Sequence, residues 1–126
     1  MIKKILIVDD SPIARKMLKS CLPKDRGFEF HEACDGKEGF EKYIELKPDM
    51  TFMDLTMPVM TGYEAIDAII GYDKNAMIIV VTADIQMKSI KTVLESGAYM
   101  VLRKPLKKEE LNTALLKAEE SLQKAN

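Results

Sequence analysis

The chain has 126 residues, 47% hydrophobic and 31% charged, the balance of one globular domain with enough chain to bury a core. Lysine plus arginine (19) nearly cancels aspartate plus glutamate (20). No basic excess is left to neutralise a run of phosphates, which argues against direct nucleic-acid binding. No apolar run approaches the roughly 20 residues that cross a bilayer. The one at 5–8 stops at Asp9-Asp10, short of the roughly 7–15 residues of a signal-peptide core, so no membrane insertion and a cytoplasmic location are expected.

In chain order, residues 5–8 (Ile5-Leu6-Ile7-Val8) are apolar throughout, as in a strand buried on both faces. Ser11-Pro12 offers an N-cap and a proline at the first helical position. Ala14, Met17, Leu18 and Cys21 then share one face of a first helix. Residues 28–33 form a second strand-like run, which holds the sole histidine, His31, with no neighbouring ligand pattern. A second helix sets Gly36, Phe40, Tyr43 and Ile44 on one face, and a third strand occupies 50–53. Ile66, Ile69 and Ile70 mark a third helix with Gly71 at its stop. A fourth strand at 77–81 precedes a helix marked by Ile90, Val93 and Leu94, with Gly97 at its stop. A fifth strand at 99–102 leads to a last helix marked by Leu111, Leu115, Ala118 and Leu122. Each helical set has the i, i+3, i+4 spacing of a face turned to a core.

Five strand–helix pairs with short connections predict a (βα)5 α/β domain with a mainly parallel sheet. There is no repeat, low-complexity stretch or linker, so residues 1–126 read as a single domain. Asn126 follows the last amphipathic helix closely, so a stand-alone domain with no DNA-binding or enzymatic output domain is expected. Cys21 and Cys34 are too few for a disulfide framework and are expected to be buried or half-buried thiols. Of the nine methionines, Met17, Met50, Met53, Met77 and Met100 fit core positions, while Met57 and Met60 fall in the loop after residue 54. Flexible apolar filler is the expected role, rather than a methionine-rich docking surface.

In an open α/β sheet, ligands bind beyond the carboxyl ends of the strands. There the first strand ends in Asp9-Asp10, the third in Asp54 and the fourth in Thr82, and Lys104-Pro105 follows the fifth. Clustered carboxylates repel one another and either raise a pKa or collect a cation. Oxygen-only ligands favour Mg²⁺ or Ca²⁺, and a few carboxylates with space for water suit Mg²⁺. Lys104 supplies a point charge for a phosphate oxygen and Thr82 a hydroxyl. A carboxylate can attack phosphorus in line to give an acyl phosphate. Singly, these are ordinary turn and cap residues; converging on one rim, they point to phosphoryl chemistry.

The motifs Ile5-Leu6-Ile7-Val8-Asp9-Asp10-Ser11, Asp35-Gly36, Pro48-Asp49, Met53-Asp54-Leu55-Thr56-Met57-Pro58, Gly62, Val80-Val81-Thr82-Ala83, Gly97-Ala98 and Lys104-Pro105 occur in that order. Over residues 1 to about 122 the chain resembles the response-regulator receiver family of CheY-like domains. The resemblance implies a doubly wound, flavodoxin-like sheet of strand order 2-1-3-4-5 and a cis peptide at Lys104-Pro105. It implies Asp54 as phosphoacceptor, with Mg²⁺ held by Asp9, Asp10, Asp54 and the Thr56 backbone carbonyl. It also implies Thr82, Lys104 and the Ala83 amide as contacts for phosphoryl oxygens. The donor would be a histidine kinase or phosphotransfer protein, and the output a protein binding the phosphorylated form, with chemotaxis the natural guess. Such a chain assists its own phosphorylation and dephosphorylation without being a turnover enzyme.

One position departs from the pattern. Where the family often carries a switching aromatic, three residues before the lysine, this chain has Val101. Tyr99 lies two residues earlier, on the same strand face by period two. Thr56 and Asp84 stand where the family tunes the lifetime of the phosphoryl group. The runner-up reading is a receiver cut from a longer transcription factor or hybrid kinase. A remote alternative is a Mg²⁺-dependent aspartyl-phosphate phosphatase of the haloacid-dehalogenase kind, which would want Asp-x-Asp after the first strand instead of adjacent Asp9-Asp10. A dinucleotide-binding domain fails for lack of Gly-x-Gly-x-x-Gly after that strand.

Overall fold

The computed structural model describes residues 2–124. Its elements are β1 (Lys4–Val8), α1 (Pro12–Cys21), a 3-10 turn (Lys24–Arg26), β2 (Glu29–Ala33), α2 (Gly36–Leu46), β3 (Met50–Met53), α3 (Gly62–Tyr72), β4 (Ile78–Thr82), α4 (Met87–Ser96), β5 (Met100–Arg103) and α5 (Lys108–Lys124). All five strands are parallel, in the order β2-β1-β3-β4-β5, the order that the resemblance implied. None of the described helices is long and apolar enough to cross a membrane.

The uninterrupted apolar strands have a direct consequence for layering. Within β1, Ile5 and Ile7 face one way, toward Leu18 of α1 and Leu111, Leu115 and Ala118 of α5. Leu6 and Val8 face the other way, toward Tyr43 of α2, Ile66 and Ile69 of α3 and Val93 of α4. Period-two alternation thus feeds two cores at once, and helices must cover both faces of the sheet.

Strand ends are pinned by local hydrogen bonds. Asp49, just ahead of β3, accepts from the Lys3 and Lys4 amides at 2.9 Å each, so the Pro48-Asp49 motif aligns the starts of β1 and β3. Ser11 caps α1 by accepting from the Ala14 amide, and Asp35 caps α2 by accepting from Glu38. Thr61 and Glu64 form a reciprocal capping box at the start of α3.

Several local expectations are corrected. Helix α3 runs past Gly71 to Tyr72 and is closed by Asp73, whose amide donates to the Ile69 carbonyl. Gly97 does end α4, in the left-handed region at φ +117°. Met17 is exposed rather than core: it lies at the flank of the apolar stripe of α1 and lines a shallow hollow of ≈ 380 Å³ with Leu18, Pro105 and Leu106. Ile44 and Leu94, expected on buried helix faces, are also exposed at the edges of theirs. Cys21 is half-buried but Cys34 is exposed, because the chain leaves the sheet at Ala33 and turns outward into the α2 cap. Beside Cys34, Glu38 and then Asp35 push its thiol above the ordinary range.

Two substitutions test this packing. Thr51 of β3 is fully buried and its hydroxyl has no hydrogen-bond partner, so Thr51→Val removes an unsatisfied polar atom at matched shape. We expect a gain of about 1 kcal/mol in chemical denaturation. Gly62, at the first turn of α3, has no room for a side chain: a Cβ there would stand 2.0 Å from the Asp54 carbonyl oxygen and 2.7 Å from the Leu55 Cα. Gly62→Ala must move backbone, and a loss of roughly 1–3 kcal/mol is expected in the same assay.

Candidate functional site

The carboxyl ends of β1, β3, β4 and β5 form one rim. Backbone bonds bring the acidic turns there: the Asp54 amide donates to the Val8 carbonyl at 2.9 Å, and the Asp9 amide to the Ala33 carbonyl at 3.0 Å. Asp9, Asp10 and Asp54 each place a carboxylate oxygen within 4.8 Å of the others, with Asp9 and Asp54 buried and Asp10 exposed. Such an all-oxygen set, open to water through Asp10, fits a hard divalent cation.

Lys104 reaches into this cluster from the turn after β5. Its Nζ lies 2.8 Å from Asp9 Oδ2 and 3.5 Å from Asp54 Oδ1, and the Lys104–Pro105 peptide is cis. Burial works against the ammonium, but its hydrogen bond to Asp9 and the charges of Asp54 and Asp9 outweigh it and lift the Lys104 pKa. Burial raises the Asp54 carboxyl above its usual range, and the Asp9 charge adds to that shift, while Lys104 offsets only part of it. One cation for three carboxylates leaves the cluster electron-rich, a place where a second cation is favoured.

Thr82, almost wholly buried at the end of β4, accepts through Oγ1 from the Asp84 amide at 3.0 Å. Ala83 stands exposed at the bend just after it, and the Lys104 amide donates to the Thr82 carbonyl at 2.8 Å. That bond ties the β4 and β5 turns together. Thr56 lies exposed two residues after Asp54. Contacts bring Asp9, Asp10, Asp54 and Lys104 together, while Thr56, Thr82 and Ala83 lie at or just beyond the carboxyl ends of β3 and β4 on the same side of the sheet.

The loop between β3 and α3 is held stiffly. Pro58 and Met60 close a three-residue turn, the Met60 amide donating to the Pro58 carbonyl at 2.7 Å, and Val59 between them has φ +68°. A β-branched residue at positive φ is strained, and surrounding contacts must hold it. The Gly36 amide donates to the Met60 carbonyl at 3.0 Å, and a Cβ on Gly36 would stand 2.4 Å from that oxygen.

Other participants were not singled out from sequence. Arg15 of α1 donates from Nη1 to the Asp9 carbonyl at 2.6 Å and from Nε to Glu32 at 2.8 Å, buttressing the acidic turn. It sits one turn into α1, and its role comes from the Asp9 turn and the Glu32 carboxylate that it faces across space. Tyr99 precedes β5, and its hydroxyl is engaged with Ser121 and the Lys117 carbonyl of α5, at the end of the strand away from Lys104. Val101 pairs with Val80 and is half-buried. His31 is paired with Glu29 at 2.6 Å on the edge strand, apart from the acidic cluster.

Comparison with known proteins agrees with this arrangement. A family model described as the response regulator receiver domain matches residues 5–116. The chemotaxis protein CheY of Thermotoga maritima is 43% identical over 116 residues, spanning 91% of this chain and 96% of that protein. Among solved structures, the CheX-CheY-BeF3-Mg+2 complex of Borrelia burgdorferi matches with a TM-score of 0.86 and 31% identity, over 91% of this chain and 87% of that one. Chemotaxis protein CheY4 of Vibrio cholerae matches at 0.84 and 32%, over 94% and 99%. The parallel 2-1-3-4-5 sheet, the acidic rim and these matches lead to one conclusion: the chain belongs to the response regulator receiver domain family, the CheY-like regulators of two-component signalling.

Proposed function

We propose that Asp54 is the phosphoacceptor of a Mg²⁺-dependent receiver whose output is contact with another protein. The observation that carries this reading is the Lys104 ammonium set between Asp9 and Asp54, beside three carboxylates gathered at the strand ends. An Asp54 carboxylate oxygen attacks the phosphorus of a phosphohistidine on a kinase or phosphotransfer protein. The P–N bond breaks, an acyl phosphate O–P bond forms, and the departing imidazole retains the bonding pair.

Asp9, Asp10 and Asp54, with the Thr56 carbonyl, would hold Mg²⁺, which when bound neutralises charge on the transferring phosphoryl oxygens. Lys104 exchanges its carboxylate partners for a phosphoryl oxygen, a charge-assisted bond that needs only a short movement. Thr82 and the Ala83 amide supply the remaining donors. The product carries about −1.5 to −2 charge near neutral pH, and the donors that turn toward it carry the β4–α4 turn with them. An output protein that prefers that arrangement completes the signal by population shift. Chemotaxis is the process that the CheY relatives suggest, and the cytoplasm the compartment. The chain promotes chemistry on itself and turns over no separate substrate.

Intact-protein mass spectrometry after incubation with acetyl phosphate tests the assignment. We expect one Mg²⁺-dependent phosphoryl adduct that decays with time and is lost in Asp54→Ala; uptake by that variant would remove Asp54 as acceptor. The same variant should unfold at a higher temperature in metal-free buffer, since burial and the Asp9 charge disfavour the Asp54 carboxylate more than Lys104 favours it. Asp10→Ala should weaken Mg²⁺ binding, read by titration, by no less than the ~10–100-fold typical of losing a residue that merely supports a ligand. Unchanged affinity would exclude Asp10 as a ligand.

A further inference from the structure

The β4–α4 turn contains a hydrogen-bonded relay that starts at Thr82. The Asp84 amide donates to Thr82 Oγ1 at 3.0 Å, the Gln86 amide donates to Asp84 Oδ1 at 3.1 Å, and the Ser89 hydroxyl donates to Asp84 Oδ2 at 2.7 Å. Gln86, the N-cap residue of α4, makes no side-chain capping bond. Asp84 thus ties the turn to the first turn of α4 from outside the helix, and Ser89 is the helix's side of that tie. The charged acceptor makes these bonds stronger than neutral ones, and Ser89 first, then the Gln86 amide, hold the Asp84 carboxyl below its usual range.

We propose that Ser89 is a positioning residue for phosphoryl transfer: through Asp84 it latches Thr82 in the arrangement of the unphosphorylated chain. This rests on the reading that Thr82 turns toward a phosphoryl group on Asp54. Such a turn gives up the bond from the Asp84 amide, and the turn around Asp84 must shift to allow it. The Asp84 carboxylate resists that shift because both its oxygens are engaged, one by Gln86 and one by Ser89. Removing the Ser89 hydroxyl frees one oxygen to water, since Asp84 lies at a partly exposed site. The latch is weakened while Thr82, Lys104 and the acidic cluster stay intact. A latch of this kind stabilises only one of two states, so its loss shifts their balance by its differential contribution.

The experiment compares wild type, Ser89→Ala and Ser89→Thr for the rate of phosphoryl uptake from acetyl phosphate at fixed Mg²⁺, with Mg²⁺ affinity and thermal midpoint measured alongside. Ser89→Ala is expected to take up phosphate about fivefold faster or more, the lower end of ordinary coupling, with unchanged Mg²⁺ affinity. Ser89→Thr, which keeps the hydroxyl, is expected to restore the wild-type rate. If Ser89→Ala loses thermal stability but is phosphorylated at or below the wild-type rate, Ser89 is only a helix cap and the latch is overturned. The latch is equally overturned if Ser89→Thr matches Ser89→Ala. A wild-type chain that takes up no phosphoryl group overturns the latch together with the function on which it rests.

Discussion

The structure turns on an electrostatic imbalance: three carboxylates lie within 4.8 Å of one another, and one ammonium, Lys104, lies among them. Water would dissipate that repulsion, but Asp9 and Asp54 are buried and it persists. The cluster therefore costs stability in the metal-free chain, and the fold must force it together. It does so with backbone, through the Val8 and Ala33 carbonyls that receive the Asp54 and Asp9 amides, and with Arg15 clamped on the Asp9 carbonyl. What destabilises the resting molecule is what makes it a site, because a bound cation would relieve the repulsion.

Close backbone approach is the second constraint, and it serves the first. Gly62 lets α3 begin against the carbonyl of Asp54, and Gly36 lets α2 begin against the carbonyl of Met60. The loop between Asp54 and α3 is thus wedged between two helix starts, which is why Val59 can be kept at φ +68°. The strain at Val59 is sustained by those neighbours instead of being relaxed by a glycine at that position.

Much of this was legible in the residues themselves. The apolar runs placed the strands to within a residue at each end, most plainly β1, β3 and β4, because a strand buried on both faces has no polar face to blur its signal. The rim residues followed from asking what stands after each strand. Lateral position was harder to read. Met17 fits the spacing of its helix's buried face yet lies at the flank, since an apolar stripe has edges that spacing does not mark. Gly71 looked like a stop, but helix ends depend on which carbonyls find donors, and Asp73 provides one two residues later. Arg15 and Ser89 escaped notice because a lone arginine or serine on a helix carries no pattern, and its meaning comes from the turn that it faces across space.

The two sides of the site differ in how firmly they are held, and that difference gives the molecule a direction. On the β3 side, Asp54 is bound by sheet hydrogen bonds, by the glycine contact to α3 and by the wedged loop before that helix. On the β4–α4 side, the Thr82 hydroxyl is held by a single amide, itself braced by the bonds that Asp84 receives from Gln86 and Ser89. Free energy introduced at a rigid point and a compliant one deforms the compliant one. A phosphoryl group on Asp54 would leave β3 and its loop in place and pull on Thr82. Movement then goes outward through the turn to α4, whose Met87 and Leu94 are already exposed to solvent. Under the proposed function, rigidity around Asp54 and slack at the turn would be parts of one device, and stiffening the turn should blunt the signal as surely as loosening the β3 side would.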